Sequence, residues 1–270
     1  MTEEIDREVR IKSLLEQAMR DREFTLVFQT KVDAASSEPF GMEALCRWRS
    51  PVLGQVSPSD FLPILSKTSL MDEFCEMIFH LTLDVFNSMR SSIPDRLSLS
   101  VNVSPVFFLK DTFETFVMNA LHERDIPPER IILEITEEAM IAELSSINLK
   151  AGNLRSHGIR ISLDDFGSGY SSLKYLTAIH FDEIKIDKAF IDPIAVDEQA
   201  YALLTSIMAI AKVMDCQVVA EGVETQTQAE RILQAGCRVH QGYLYSRPVP
   251  AEEMTSLLSE ATPRQKPGKE

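Results

Sequence analysis

Cysteine is scarce in this sequence of 270 residues: Cys46, Cys75, Cys216 and Cys237 are scattered, with no CxxC pair and no metal-type spacing. That argues against a disulfide framework and a zinc knuckle and fits a reducing, cytoplasmic setting. Long hydrophobic runs are missing too. No stretch reaches the ~18 uninterrupted apolar residues a membrane-spanning helix needs, and the opening Met1-Thr2-Glu3-Glu4 is too acidic for a secretory signal peptide. Positive charge is in deficit, with 27 Lys and Arg against 41 Asp and Glu and a formal net charge of -14. Nucleic-acid polymers are bound through clustered cations, so none is expected as a partner. An anionic ligand would have to be held by other means, and metal ions bound by carboxylates turn an acidic surface into an anion site.

What is present is ordinary for a globular protein: 44% hydrophobic and 25% charged residues. The length allows two domains or one large α/β barrel, since such barrels run to roughly 250 residues. Val9, Ile11, Leu14, Leu15 and Met19 fall on one helical face, which predicts an amphipathic helix within residues 1–22 packed on the rest. Apolar, β-branched runs follow at 24–32, 40–48, 97–103, 131–135, 159–163, 183–186, 217–220 and 238–244. Segments of helical period lie between most of them, at 59–65, 71–89, 112–122, 141–157, 200–214 and 227–235. Strands alternating with helices read as βαβ units, and eight strands favour a closed (β/α)8 barrel over residues 23–261. Gln29-Thr30-Lys31-Val32-Asp33 offers no glycine-rich phosphate loop of the kind that would favour an open sheet. Residues 262–270 read as a disordered tail. Because the barrel begins within about 25 residues, no fused sensor domain is expected ahead of it.

One pattern goes beyond a generic barrel. Nearly every strand ends in acids or amides: Glu43, Asn102, Glu134 and Glu137, Asp164-Asp165, Asp187, Glu221 and Glu224, and Gln241. Strand ends converge on one mouth of a barrel, so these residues become neighbours. Any one of them reads more simply as a helix cap or a surface acid. Together, without cations, they would repel one another and raise their own pKa values, a cost that divalent metal removes. The donors are oxygens, with no His or Cys among them, which favours Mg²⁺ or Mn²⁺ over Zn²⁺. Adjacent Asp164 and Asp165 can bridge and flank two ions, an arrangement suited to phosphoryl displacement. The alternative is a capped turn in which Ser171 or Ser172 starts the next helix. Gly167 and Gly169 would let the intervening loop move. Lys185, inside an apolar strand pattern, needs partners, and the acids supply them.

With these residues assembled, the sequence resembles the EAL-domain family of cyclic-di-GMP phosphodiesterases. The resemblance runs from about Phe24 to Pro250. It rests on Glu43-Ala44-Leu45-Cys46-Arg47-Trp48, Asn102-Val103-Ser104, Glu134-Ile135-Thr136-Glu137, the run Asp164 to Leu173, Lys185-Ile186-Asp187, Ala220 to Thr225 and Gln241-Gly242-Tyr243. It implies a modified TIM barrel whose first strand is antiparallel to the others. It also implies one metal on Glu43, Asn102, Glu134 and Asp164 and a second on Asp164, Asp165 and Glu221. Lys185 would contact the nucleophilic water, Glu221 would assist its deprotonation and Glu137 would tie down the loop after Asp165. Gln29, Leu45, Arg47, Asp187, Glu224 and Gln241 would face the substrate, Arg47 at a phosphate, with Glu224 and Gln241 also supporting the metal shell. The implied reaction is hydrolysis of cyclic di-GMP to linear pGpG in the bacterial cytoplasm by a homodimer, with regulation left to a partner protein, expression or assembly.

The sequence departs from the family's Gln-Pro-Ile/Val at Thr30 and Lys31, and from its Ala-Glu-x-x-Gly segment at residues including Ser66 and Ser69. Neither change removes a metal ligand, and both are expected to affect substrate fit or contacts near the first helix. Cys46 stands where a branched aliphatic is usual. Two other functions compete: a catalytically weak EAL domain acting as a cyclic-di-GMP receptor or docking module, and, more distantly, a metal-dependent barrel enzyme for another phosphate substrate. Retention of every matched catalytic position favours hydrolysis.

Overall fold

Four residues decide the direction of the first strand. Ala34–Ser37 join strand β1 (Phe24–Asp33) to β2 (Glu38–Ser50), and a connection that short permits only an antiparallel hairpin, since parallel neighbours need a crossover of a dozen residues or more. The turn is built locally: Asp33 Oδ1 accepts from the backbone N–H groups of Ala35 and Ser36, and Ser37 takes a left-handed φ of 58°. The computed structural model describes residues 2–137, 144–167 and 179–260. The remaining strands are β3 (Gly54–Val56), β4 (Ser98–Asn102), β5 (Ile131–Thr136), β6 (Arg160–Phe166), β7 (Glu183–Ile186), β8 (Gln217–Ala220) and β9 (Val239–Gln241).

Pairing runs in the order β1-β9-β8-β7-β6-β5-β4-β2, and β1 also pairs with β2, so the sheet closes on itself. β1 is antiparallel to both neighbours, whereas the pairs from β2–β4 round to β8–β9 are parallel. This is the modified TIM barrel with a reversed first strand. All eight anticipated strands form. A ninth, β3, was not anticipated; it is a three-residue edge strand lying antiparallel on the end of β2. The helices Pro105–Phe108, Lys188–Ile191 and Ala251–Glu260 were also not anticipated, and the first two are a single turn each, too short to show a period. Ser171 and Ser172, Gly169 and the expected tail lie outside the described residues.

Two apolar layers hold the barrel. The larger lies between the outer faces of the strands and the surrounding helices, for example Phe79, Leu83 and Phe86 of the helix Met71–Met89 against Leu99 and Val101 of β4. The smaller sits under the helix α1 (Thr2–Arg20), whose Ile11, Leu15, Ala18 and Met19 pack with Phe24, Trp48, Phe61 and Phe74. Trp48 Nε1 donates to Glu23 at 2.7 Å, so the ring's polar edge is satisfied although the residue is fully buried. Within the described residues, no helix is long and apolar enough to cross a membrane.

Candidate metal centre and active site

The interior of a (β/α)8 barrel is ordinarily filled by branched apolar side chains. Here its upper part is polar: Lys31, Glu43, Ser100, Glu134, Ser162, Asp164, Glu183, Lys185 and Gln241 are all buried. The pleat explains why, since alternate residues of a strand share a face, and Glu183 and Lys185 or Gln29 and Lys31 therefore point the same way.

Lys185 is the hub of the mouth. Its ammonium lies 3.2 Å from Glu43, 2.9 Å from Glu134, 3.0 Å from Asp164 and 2.8 Å from Glu221. The backbone brings Asp164 and Asp165 to the same place by breaking the pleat: the β6–β7 register shifts between Leu163 and Phe166, and Asp165 adopts a left-handed φ of 56°. A bulge of this kind re-aims side chains that a regular strand would send to opposite faces. Asp is among the few non-glycine residues that tolerate such a φ. Two overlapping acid groups result, Glu43 with Glu134 and Asp164, and Asp164 with Asp165 and Glu221, each with oxygens within 4.8 Å of one another.

Charge on these groups is finely divided. Burial drives the pKa of Glu43 and Asp164 upward, helped by the neighbouring acids, and raises Asp165 also. Glu221 is pushed up to about 8, chiefly by burial. Glu134 goes the other way: burial would raise it, but Lys185 and Lys31 together bring it down to about 2. Lys185 itself is held well above its ordinary value, because its carboxylates outweigh the desolvation that would lower it.

The amides complete the rim. Asn102 Nδ2 donates to Glu43 Oε1 at 2.8 Å, and Gln241 Nε2 donates to Glu43 Oε2 at 2.7 Å and to Gln29 Oε1 at 3.3 Å. Gln241 Oε1 is buried without a hydrogen-bond partner. An orphaned acceptor beside a ring of hard oxygen donors fits a divalent cation with its water shell, and neither acid group contains a sulfur or imidazole. Glu137 Oε2 accepts from the N–H of Gly167 at 3.2 Å, two residues beyond Asp165.

The other expected residues divide. Gln29, Glu43, Leu45, Glu224 and Gln241 line a cavity of about 460 Å³ with Asp164, Asp165, Lys185 and Glu221. Arg47 does not. Its guanidinium donates to the Cys46 carbonyl, and the side chain lines a neighbouring, largely apolar cavity of about 380 Å³ that shares Glu43 and Leu45 with the acidic one. Asp187 is turned to the chain: its Oδ1 caps the helix Lys188–Ile191 by accepting from Ala189, though its charge still helps raise the pKa of Asp165. Lys188 and Tyr243 line the acidic cavity and were not anticipated. Lys188 pairs with Glu224, and only the turn of chain after β7 brings the two together.

Lys31, one of the departures from the family pattern, is fully buried inside the barrel, bonded to Ser100, Glu134 and Glu183, so it offers a partner no surface near the first helix. The signal was available, since a lysine in an apolar strand pattern needs internal partners for the same reason Lys185 does. Thr30 faces away, its hydroxyl 2.6 Å from that of Ser246. Ser66 ends its helix by donating to the Pro63 carbonyl.

The family model described as EAL domain matches residues 13–248. Among curated relatives, the bifunctional diguanylate cyclase/cyclic di-GMP phosphodiesterase MucR of Pseudomonas aeruginosa is 34% identical over 245 residues, 91% of this chain and 36% of MucR. The cyclic di-GMP phosphodiesterase PdeL of Escherichia coli is 33% identical over 239 residues, 88% of this chain and 66% of PdeL. The solved PaMucR phosphodiesterase in complex with c-di-GMP superposes with a TM-score of 0.86 at 34% identity, covering 91% of this chain and 99% of that one. The chain spans about a third of the length of several of the curated relatives it matches.

Proposed function

The chain belongs to the EAL domain family, and on that premise we propose that it hydrolyses one phosphodiester of cyclic di-GMP, giving linear pGpG. The observation that carries this reading is the pair of acid groups sharing Asp164 at the barrel mouth, with Lys185 among them. The relatives named for this activity, MucR and PdeL, support it.

Glu43, Asn102, Glu134 and Asp164 would hold one divalent cation and Asp164, Asp165 and Glu221 the other. Bound there, the ions would supply Lewis acidity toward the phosphate and lower the pKa of a nearby water. Glu221 would assist that water's deprotonation, as the family resemblance implies, once the cation has displaced the proton that burial favours on its carboxyl. Lys185 donates toward the attacking oxygen and offsets charge developing on the phosphate. Gln241 orients Glu43, and Glu137 holds the backbone at Gly167 so that Asp164 and Asp165 keep their angle. Gln29, Leu45 and Glu224 line the place where substrate would lie, Arg47 would meet a phosphate from the adjoining cavity, and Asp187 would act from beside Asp165. The same reading takes Mg²⁺ or Mn²⁺ as the ions, from the oxygen donors, and a cytoplasmic homodimer as the functional form, from the family resemblance.

The test is incubation of purified protein with cyclic di-GMP and Mg²⁺ or Mn²⁺, against a chelated control, with chromatographic separation of the nucleotides. Metal-dependent pGpG is the expected result. Binding without turnover would instead make the chain a receptor.

A further inference from the structure

Beneath the acids of the mouth lies a second buried lysine. Lys31 Nζ donates to Ser100 Oγ at 2.7 Å, Glu134 Oε1 at 2.9 Å and Glu183 Oε1 at 2.6 Å, so all three of its N–H donors are used. Glu183 in turn accepts from Ser162 Oγ at 3.1 Å. The backbone of Lys31 is fixed on both sides, opposite Gly41 in β2 and Gln241 in β9.

Glu134 is thus divided between two lysines, Oε1 to Lys31 below and Oε2 to Lys185 above at 2.9 Å. The two ammonium groups are not equivalent. Every carboxylate on Lys185 belongs to an acid group at the mouth, so a dication entering there competes with it directly. Apart from Glu134, the partners of Lys31, Ser100 and Glu183, line neither of the two cavities at the mouth. When Lys185 is displaced from Glu134 Oε2, Oε1 stays anchored.

We propose that Lys31 is a positioning residue that clamps Glu134 through Oε1, so that this glutamate presents a single oxygen, Oε2, to a cation at the mouth, with Glu183 as the buried counter-charge that makes the clamp tolerable. The inference rests on the two-metal reading above. A charge pair beneath a ligand acts as its orienting outer shell, and loss of such a partner typically weakens metal affinity or activity about 10–100-fold.

Removing Lys31 alone would strand two buried carboxylates, so the informative variant is Lys31→Met/Glu183→Gln, which deletes the pair. Calorimetric titration with Mn²⁺ alone, after a thermal melt shows the variant folded, should give affinity weakened about 10–100-fold. Turnover should lose kcat with the KM for cyclic di-GMP changed less than about threefold. Glu183→Gln by itself keeps an acceptor for Lys31 while removing the counter-charge, and should weaken Mn²⁺ less than the double variant does. A folded double variant with parental Mn²⁺ affinity overturns the inference. If the double variant does not fold, a crystal structure of the unaltered protein with Mn²⁺ decides: Oε2-only ligation with Lys31 still on Oε1 supports the clamp, and bidentate Glu134 or a released Lys31 overturns it. Weakened Mn²⁺ binding in a chain that never cleaves cyclic di-GMP would leave the clamp standing and sink the proposed function instead.

Discussion

Gln241 donates its side-chain N–H to Glu43 Oε2 at 2.7 Å, reaching across the reversed first strand that separates β9 from β2. The contact exists because β1 pairs with both strands, and it joins Lys185 on Oε2 of a carboxylate whose Oε1 is held by Asn102. Glu43→Ala or Asp164→Asn removes a carboxylate from an acid group of the mouth. If metal supplies several kcal/mol of transition-state stabilisation, loss of about 4 kcal/mol lowers turnover by roughly 10³-fold. Steady-state rates at saturating Mn²⁺ check this, and unchanged turnover with metal still required would remove either residue from the ligand set.

Lys185→Met separates rate from metal binding. The ammonium competes with any cation for four carboxylates, so its loss should leave Mn²⁺ affinity equal or tighter while turnover falls about 10²–10³-fold, the usual effect of losing a donor to developing charge. Titration calorimetry beside single-turnover kinetics reads both. A parallel fall in affinity and rate would make Lys185 structural.

Metal binding should release protons and tighten with pH. Burial pushes the Glu221 carboxyl up to about 8 and raises Glu43, Asp164 and Asp165 as well, so protons compete with a cation for this site. Mn²⁺ affinity is expected to rise from pH 6 to 8, with proton release seen as buffer-dependent heats. The sign for stability is the reverse. Carboxyls with raised pKa bind more protons folded than unfolded, so chelated protein loses stability as pH climbs from the ordinary carboxylate range toward 8, and added Mn²⁺ restores more at pH 8 than at pH 6. Melting curves with and without chelator test this; an apo protein more stable at pH 8 than at pH 6 would contradict it.

Gly242→Ala tests the seat of Gln241. A Cβ there would lie 2.1 Å from the carbonyl oxygen and 2.3 Å from the nitrogen of Val223, both backbone atoms that cannot rotate away. That strand end is tied down, since Val223 N–H donates to the Gln241 carbonyl and Leu244 N–H to the Val223 carbonyl. Overpacking of this kind costs about 1–3 kcal/mol, so denaturant midpoints should fall and turnover should fall with them as Gln241 shifts. Parental stability would show that the β9 end yields easily.

Much of this was legible in the residues. The alternation of β-branched runs with helical periods marks eight strands, and the acids at their ends mark the mouth, because both signals are local periodicities of the chain. The reversed first strand entered only through resemblance, because the four-residue connection from Asp33 to Glu38 that requires it is set by strand ends the folded hairpin defines. The seat of Lys31 could be reached by the reasoning that placed Lys185 but was not drawn from it. What only the tertiary structure decided lies where distant segments meet. A period of two says which side chains share a face, but closure says which face points inward, and that rests on ladders such as β1 with β9, joined across some two hundred residues. The bulge that turns Asp165 beside Asp164, the seating of Arg47 in the adjoining cavity, the use of Asp187 as a helix cap and the pairing of Lys188 with Glu224 depend on how distant segments meet. Their energies come from burial and charge that exist only once the strands have met.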